Sequence, residues 1–112
     1  MKSTKTFNEM CGYTHELLTS LGYNYRVSSG LFRYYLGKNE LFNIYNNDRE
    51  KSIWEKVGFD SLWFQVETNE DDEYEPYYIN ELTDLAKKFV KLYKQIKVAY
   101  RKKEIEKDFQ ND

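Results

Sequence analysis

Apolar positions recur at steps of three and four from Phe7 to Leu21, and then the step drops to two. The first stretch gathers Phe7, Met10, Cys11, Thr14, Leu17, Leu18 and Leu21 on one face, which predicts a helix over residues 6–21. Thr6 carries a side-chain oxygen able to accept a backbone hydrogen bond at the helix start. Gly22 stands where helices commonly end.

The alternating stretch then begins. Tyr23, Tyr25 and Val27 alternate with Asn24 and Arg26, and Ser28-Ser29-Gly30 makes a turn. Phe32, Tyr34 and Leu36 alternate with Arg33 and Tyr35. Gly37-Lys38-Asn39 turns again before Phe42 and Ile44. These runs predict a three-stranded antiparallel meander. Asp48 is expected to cap a short helix through Val57, with Ile53, Trp54 and Val57 inward and Gly58 ending it. Leu62, Phe64 and Val66, alternating with Trp63 and Gln65, predict a fourth strand.

Residues 67–78 form a polar connection holding the single proline, Pro76. The last helix is expected from Asn80, with Glu81 and Asp84 in its first turn, where negative charge suits the helix dipole. Leu82, Leu85, Ala86, Phe89, Leu92, Tyr93, Ile96 and Tyr100 share its apolar face, and Lys87, Lys88, Lys91, Lys94, Arg101 and Lys102 lie opposite. Lys103 breaks the apolar face, so core packing should end near Tyr100, with 103–112 frayed or projecting. The expected architecture is one α+β domain over residues 1–112. A small antiparallel sheet, three-stranded meander plus a fourth strand, packs with an N-terminal helix and a long C-terminal helix.

Composition adds two constraints. Eleven tyrosines and 18% aromatic residues exceed what one modest core of 112 residues readily encloses, so some rings should face outward. The net charge of −2 conceals segregation: six carboxylates fall between Glu67 and Glu75 without a lysine or arginine, ahead of a lysine-rich helix. No run of about 18 apolar residues suggests a membrane span. Met1–Thr6 lacks the apolar block of a secretory signal, and a lone cysteine cannot form an internal disulfide. A reducing bacterial cytoplasm is the expected compartment.

Candidate chemistry is sparse. Cys11 and His15 stand four apart on the first helix, but a structural zinc takes four ligands and no second Cys or His is present. The expected roles are a core residue for Cys11 and a boundary residue for His15. Glycine-rich phosphate loops are missing, and the acidic run lacks the D-x-D-x-D-G order of a calcium loop. The expectation is no catalytic residue, no cofactor and no metal.

Three surfaces suit binding instead. The acidic segment offers Glu70, Asp71, Asp72, Glu73, Tyr74 and Glu75, carboxylates with an aromatic ring, to a basic groove. Alternation sends Arg33, Tyr35, Asn43, Tyr45, Trp63 and Gln65 to the sheet's outer face, which is either wet or covered by one of the helices. The basic helix offers Lys87, Lys91, Lys94 and Arg101 to phosphates. The first reading is therefore a non-catalytic protein-binding module. It would be an inhibitor docking on a larger protein or ribonucleoprotein through the acidic loop, Tyr35, Tyr45 and Trp63. A phage-encoded anti-defence protein of the anti-CRISPR type is one instance, suggested by small size and Lys/Asn/Tyr/Ile-rich usage. A nucleic-acid-binding domain using the basic helix, and a self-associating structural subunit, are the alternatives. No membrane partner is expected, and the chain is expected to be a monomer or homodimer.

Overall fold

Lys5–Thr6 forms a short strand, β1, and Thr6 at once caps helix α1, Phe7–Ser20. The Glu9 backbone N–H donates to the Thr6 hydroxyl at 3.3 Å, and the Thr6 N–H donates back to the Glu9 carboxylate at 3.4 Å. This reciprocal box satisfies two donors that a helix start otherwise leaves open. Past the cap residue Leu21, the Gly22 N–H donates to the Thr19 carbonyl and the helix stops. The computed structural model describes residues 4–110, with side chains as far as Val98.

Five strands follow in an antiparallel sheet ordered as in the chain: β2 (Asn24–Ser28), β3 (Leu31–Leu36), β4 (Asn39–Asn46), β5 (Lys51–Lys56) and β6 (Trp63–Gln65). The β2–β3 loop is Ser29-Gly30, both with positive φ (49° and 76°), as the two-residue hairpin turn matching strand twist requires. Gly30 has no room for a side chain, since a Cβ there would lie 2.7 Å from the Asn46 carbonyl oxygen. A two-residue strand, β7 (Glu73–Tyr74), pairs with β1 in a separate small sheet, and α2 (Pro76–Gln110) is the last described element.

Two elements differ from the sequence reading. The short helix expected from Asp48 to Val57 is instead a hairpin leading into β5. The Asn47 side-chain oxygen accepts from the Arg49 and Glu50 N–H groups, both at 2.8 Å, and the Asn47 N–H donates to the Glu50 carbonyl. That turn sets Ile53 beside Ile44, buries it, and leaves Val57 outside the strand and exposed. Within six residues, Ile53 and Trp54 satisfy either period, and the Asn47 turn decides between them. Secondly, α2 begins at Pro76, not Asn80. Proline suits the first helical position because its missing N–H would have no helical partner there. Glu81 and Asp84 consequently lie beyond the first turn, where the helix dipole no longer favours them.

Cross-strand register puts Tyr25, Tyr34, Phe42, Glu55 and Phe64 in one row on one face of the sheet. The Tyr34 hydroxyl lies 2.8 Å from His15 Nδ1 on α1, while Phe42 meets Phe89 of α2 edge-on at 5.8 Å. Both helices therefore pack on the same face, and they join each other where the Tyr13 hydroxyl meets Thr83 at 2.6 Å. Met10, Leu18, Leu82, Ala86 and Phe89 fill the layer against Ile44, Ile53 and Leu41. The buried Tyr23 hydroxyl donates to the Ala86 carbonyl at 2.9 Å, satisfying a group that burial would otherwise penalise.

Tyr34, Leu36, Phe42, Ile44 and Val66 are buried as alternation predicts, and Phe32 is half-buried. Leu62 and Phe64, expected inward, are 79% and 50% exposed, because β6 is a three-residue edge strand and Leu62 precedes it. Packing of α2 also ends earlier than expected. Tyr93 reaches Gly37, but Ile96 is 55% exposed and points at nothing in the core. Tyr100 and residues 103–112 lie outside the described side chains. Among the described residues, no helix is long and apolar enough to cross a membrane.

Phe89 is fully buried between the Phe42 and Phe59 rings. Phe89→Ala is expected to lower the unfolding free energy by about 3–5 kcal/mol, read from the midpoint shift of urea denaturation. A decrease below about 1 kcal/mol, the ordinary effect of a mild substitution, would mean α2 is held elsewhere.

Candidate interaction surfaces

The acidic segment is an ordered loop. The Asn69 side-chain oxygen accepts from the Asp71 N–H at 3.0 Å and the Glu73 N–H at 3.1 Å, while its amide nitrogen donates to Glu75 at 3.2 Å. The Asn69 N–H donates to the Glu73 carbonyl, and the Asp72 N–H to the Asn69 carbonyl. Asp72 takes φ of 55° to close the turn. One asparagine thus fixes the shape of a segment whose charges repel.

The expected docking residues divide here. Glu70, Asp71 and Asp72 are exposed on the loop. Glu73 and Glu75 are half-buried, Glu73 accepting from the Thr4 hydroxyl at 3.0 Å. Tyr74 is a correction. It is 1% exposed, its side chain buried from β7 into the core, where burial pushes its hydroxyl up to about 12, so its ring is not exposed on the loop. Its neighbours Tyr77 and Tyr78 take the surface position, with rings edge-on at 5.4 Å.

Those two tyrosines rim a recess of about 360 Å³ lined by Glu55, Val66, Glu67 and Glu81. The Tyr78 hydroxyl donates to Glu67 at 3.1 Å, and the neighbouring Glu81 carboxylate raises the Tyr77 phenol above its ordinary value. Glu55 comes from β5 on the helix-facing side of the sheet, and its Oε2 is enclosed without a hydrogen-bond partner. Burial first, and the Glu81 charge second, push its carboxyl up to about 7. The short-helix reading of residues 48–57 hides this residue. Only the Ser52/Trp54 against Ile53/Glu55 alternation reveals that Glu55 faces the helices.

The opposite face of the sheet is open: among the described residues, no helix side chain hydrogen-bonds or stacks there. It carries one aromatic ring on each of four successive strands: Tyr35, Tyr45, Trp54 and Trp63, all half-buried against their neighbours. Three of the four rings have an oriented polar partner. Trp54 Nε1 donates to the Ser52 hydroxyl at 2.9 Å, which donates on to Glu50 at 3.0 Å. Lys56 Nζ lies 5.0 Å from the Trp63 ring centre, and the Arg26 guanidinium 5.9 Å from that of Tyr35. Asn43, its amide oriented by its neighbours, donates to Glu40 at 2.9 Å, and Arg33 pairs with the same carboxylate at 3.5 Å. Trp54, Arg26 and Lys56 are not among the residues that sequence pattern offers for docking, and the pattern places Trp54 inward.

On α2, Lys87, Lys91 and Lys94 are exposed, as expected, and Arg101 lies outside the described side chains. His15 is held by Tyr34 and by the Tyr25 ring, edge-on at 4.8 Å. Burial pushes the half-buried Cys11 thiol up to about 11, so it is protonated at neutral pH. Among the described residues, no three His, Cys, Asp or Glu side chains are grouped to hold a metal ion. No protein-family model, curated protein or solved structure matches the chain.

Glu55 gives a test of the recess electrostatics. Its carboxyl holds a proton up to about pH 7 when folded, against an ordinary value of 4.5. Between those values the native state binds more protons than the unfolded state, so stability falls as pH rises. Glu55→Gln removes the titration. Its unfolding free energy relative to the parent is expected to rise by roughly 1–2 kcal/mol between pH 5 and pH 8, about half the full value of the shift because solvent screens the group. Parallel pH profiles for the two proteins would show that Glu55 ionises freely.

Proposed function

We propose that this chain is a non-catalytic inhibitor-type module that docks its acidic end on the basic, nucleic-acid-binding surface of a larger protein. The observation that carries this reading is that the carboxylates are held in place and not neutralised. Arg33–Glu40 is the one ion pair among the described residues, so Glu70, Asp71 and Asp72 find no cation there while the Asn69 turn holds their backbone still. A flexible acidic tail would lose conformational freedom on docking, and a preformed loop loses less. Negative charge on an ordered surface steers encounter with a cationic groove and discriminates against anionic partners.

The recess beside the loop supplies the rest of the contact. Tyr77 and Tyr78 are tyrosines at a surface rim, a residue type that contributes heavily at interfaces, and Tyr78 is tied to the Glu67 carboxylate. Together they would offer a partner's lysine or arginine both charge and ring. A phage-encoded anti-defence protein of the anti-CRISPR type, acting on a nucleic-acid-binding effector or ribonucleoprotein in the bacterial cytoplasm, is a setting that fits this size and charge.

The test removes charge without altering shape. In Glu70→Gln/Asp71→Asn/Asp72→Asn the loop geometry is kept, asparagine being suited to the positive φ at position 72. Immobilised parent protein is expected to retain a nucleic-acid-binding protein from bacterial lysate and to release it when excess nucleic acid competes. The triple variant should bind that protein about tenfold more weakly or worse, with stability within about 0.5 kcal/mol of the parent. Undiminished capture by the variant, or capture indifferent to competing nucleic acid, would remove the acidic end from the function.

A further inference from the structure

The open sheet face has a charge opposite to that of the acidic end. Arg26, Arg33 and Lys56 project from it; of its carboxylates, Glu40 is already engaged by Arg33 and Asn43, and Glu50 accepts from Ser52. At the β2 corner a groove of about 430 Å³ is lined by Asn24, Tyr25, Arg26, Tyr35, Gly37 and Lys38: two cations, two aromatic rings and no carboxylate. That volume falls within the roughly 300–1,000 Å³ range of pockets that hold small organic groups. From the groove, Tyr35 on β3 stands four residues from Leu31, the partner of Tyr45, and Tyr45, Trp54 and Trp63 run diagonally across β4 to β6, each two residues along the strand from its neighbour's partner.

We infer that this face binds single-stranded nucleic acid, the Arg26–Lys38 groove taking a phosphate with its nucleoside and the rings across the sheet stacking bases. Two features select this occupant. A second copy of the chain would bring Arg26, Arg33 and Lys56 against their own like charges. An acidic protein would match the cations, but the carboxylates that match them would not stack on the rings. Unpaired bases supply both an anionic backbone and planar faces, whereas a duplex keeps its bases stacked on one another. The surface is distinct from the acidic end, so it extends the proposed function without depending on it.

The chain has only two tryptophans, Trp54 and Trp63, and both lie on this face, so intrinsic tryptophan fluorescence reports on it alone. Titration with a short oligothymidylate at low salt is expected to quench that fluorescence to saturation, and the matching duplex should bind at least tenfold more weakly. Arg26→Ala/Lys38→Ala alters exposed residues and should reduce the slope of log affinity against log salt by about 0.7 for each phosphate no longer neutralised. Trp54→Ala should weaken binding about fivefold or more, the stacking of one base, when followed by anisotropy of a labelled strand.

Three results would overturn the inference. They are absence of quenching at low salt, equal quenching by polyglutamate (an acidic protein partner), and a stable dimer in light scattering whose formation quenches the same tryptophans. The Glu70→Gln/Asp71→Asn/Asp72→Asn variant should bind the oligonucleotide as the parent does, which separates a failure here from a failure of the acidic-end reading.

Discussion

Tyr34 and Phe42 sit side by side on neighbouring strands, and each receives a different helix. His15 of α1 closes on the Tyr34 hydroxyl and Phe89 of α2 closes on the Phe42 ring, which commits both helices to one side of the sheet. This single arrangement makes the core a two-layer stack. It also explains why so many tyrosines are tolerated inside. A buried hydroxyl must find a partner or cost about 1–3 kcal/mol, and here Tyr34 meets His15 while Tyr23 meets the Ala86 carbonyl. Burial raises both phenols, so neither ionises near neutrality.

The consequences spread outward. With both helices on one side, the opposite face must accept water, and its rings are steadied by polar neighbours in place of a third layer: Ser52 for Trp54, Lys56 for Trp63 and Arg26 for Tyr35. The helical side ends at β6, too short to be sealed, so Phe64 is half exposed and Glu55 opens toward a recess shared with Glu67 and Glu81. One packing decision thus produces a cationic aromatic face and leaves a crowded acidic edge.

Much of this is legible in residue pattern alone. Thr6, Gly22, the Ser29-Gly30 turn and the alternation through Tyr34 and Phe42 specify α1 and the meander because local chemistry and burial agree there. Pattern fails where six residues fit two periods: Ile53 and Trp54 satisfy a helical face as well as a strand, and the Asn47 turn that decides between them is a side-chain hydrogen-bond pattern. That one ambiguity removes Trp54 from the open face and Glu55 from the recess. Tyr74 misleads for another reason. A six-carboxylate run reads as solvated, but pairing of β7 with β1 pulls its middle tyrosine into the core, and no local periodicity records a two-residue strand pair so distant along the chain.

A net charge of −2 says little about how such a molecule meets others, because charges act over about 8 Å in physiological salt and the opposite signs here occupy different elements. If the acidic loop were a solvated connector, its cheapest environment would be the chain's own lysines, and folding would bring them together. Among the described residues it does not: Arg33 and Glu40 are the pair that forms, and they lie on the open face. Carboxylates kept apart from cations and locked in shape by Asn69 carry an unfavourable self-repulsion that the fold leaves in place. Relief of that repulsion is then available to any basic surface that docks, and it grows with every carboxylate the partner covers.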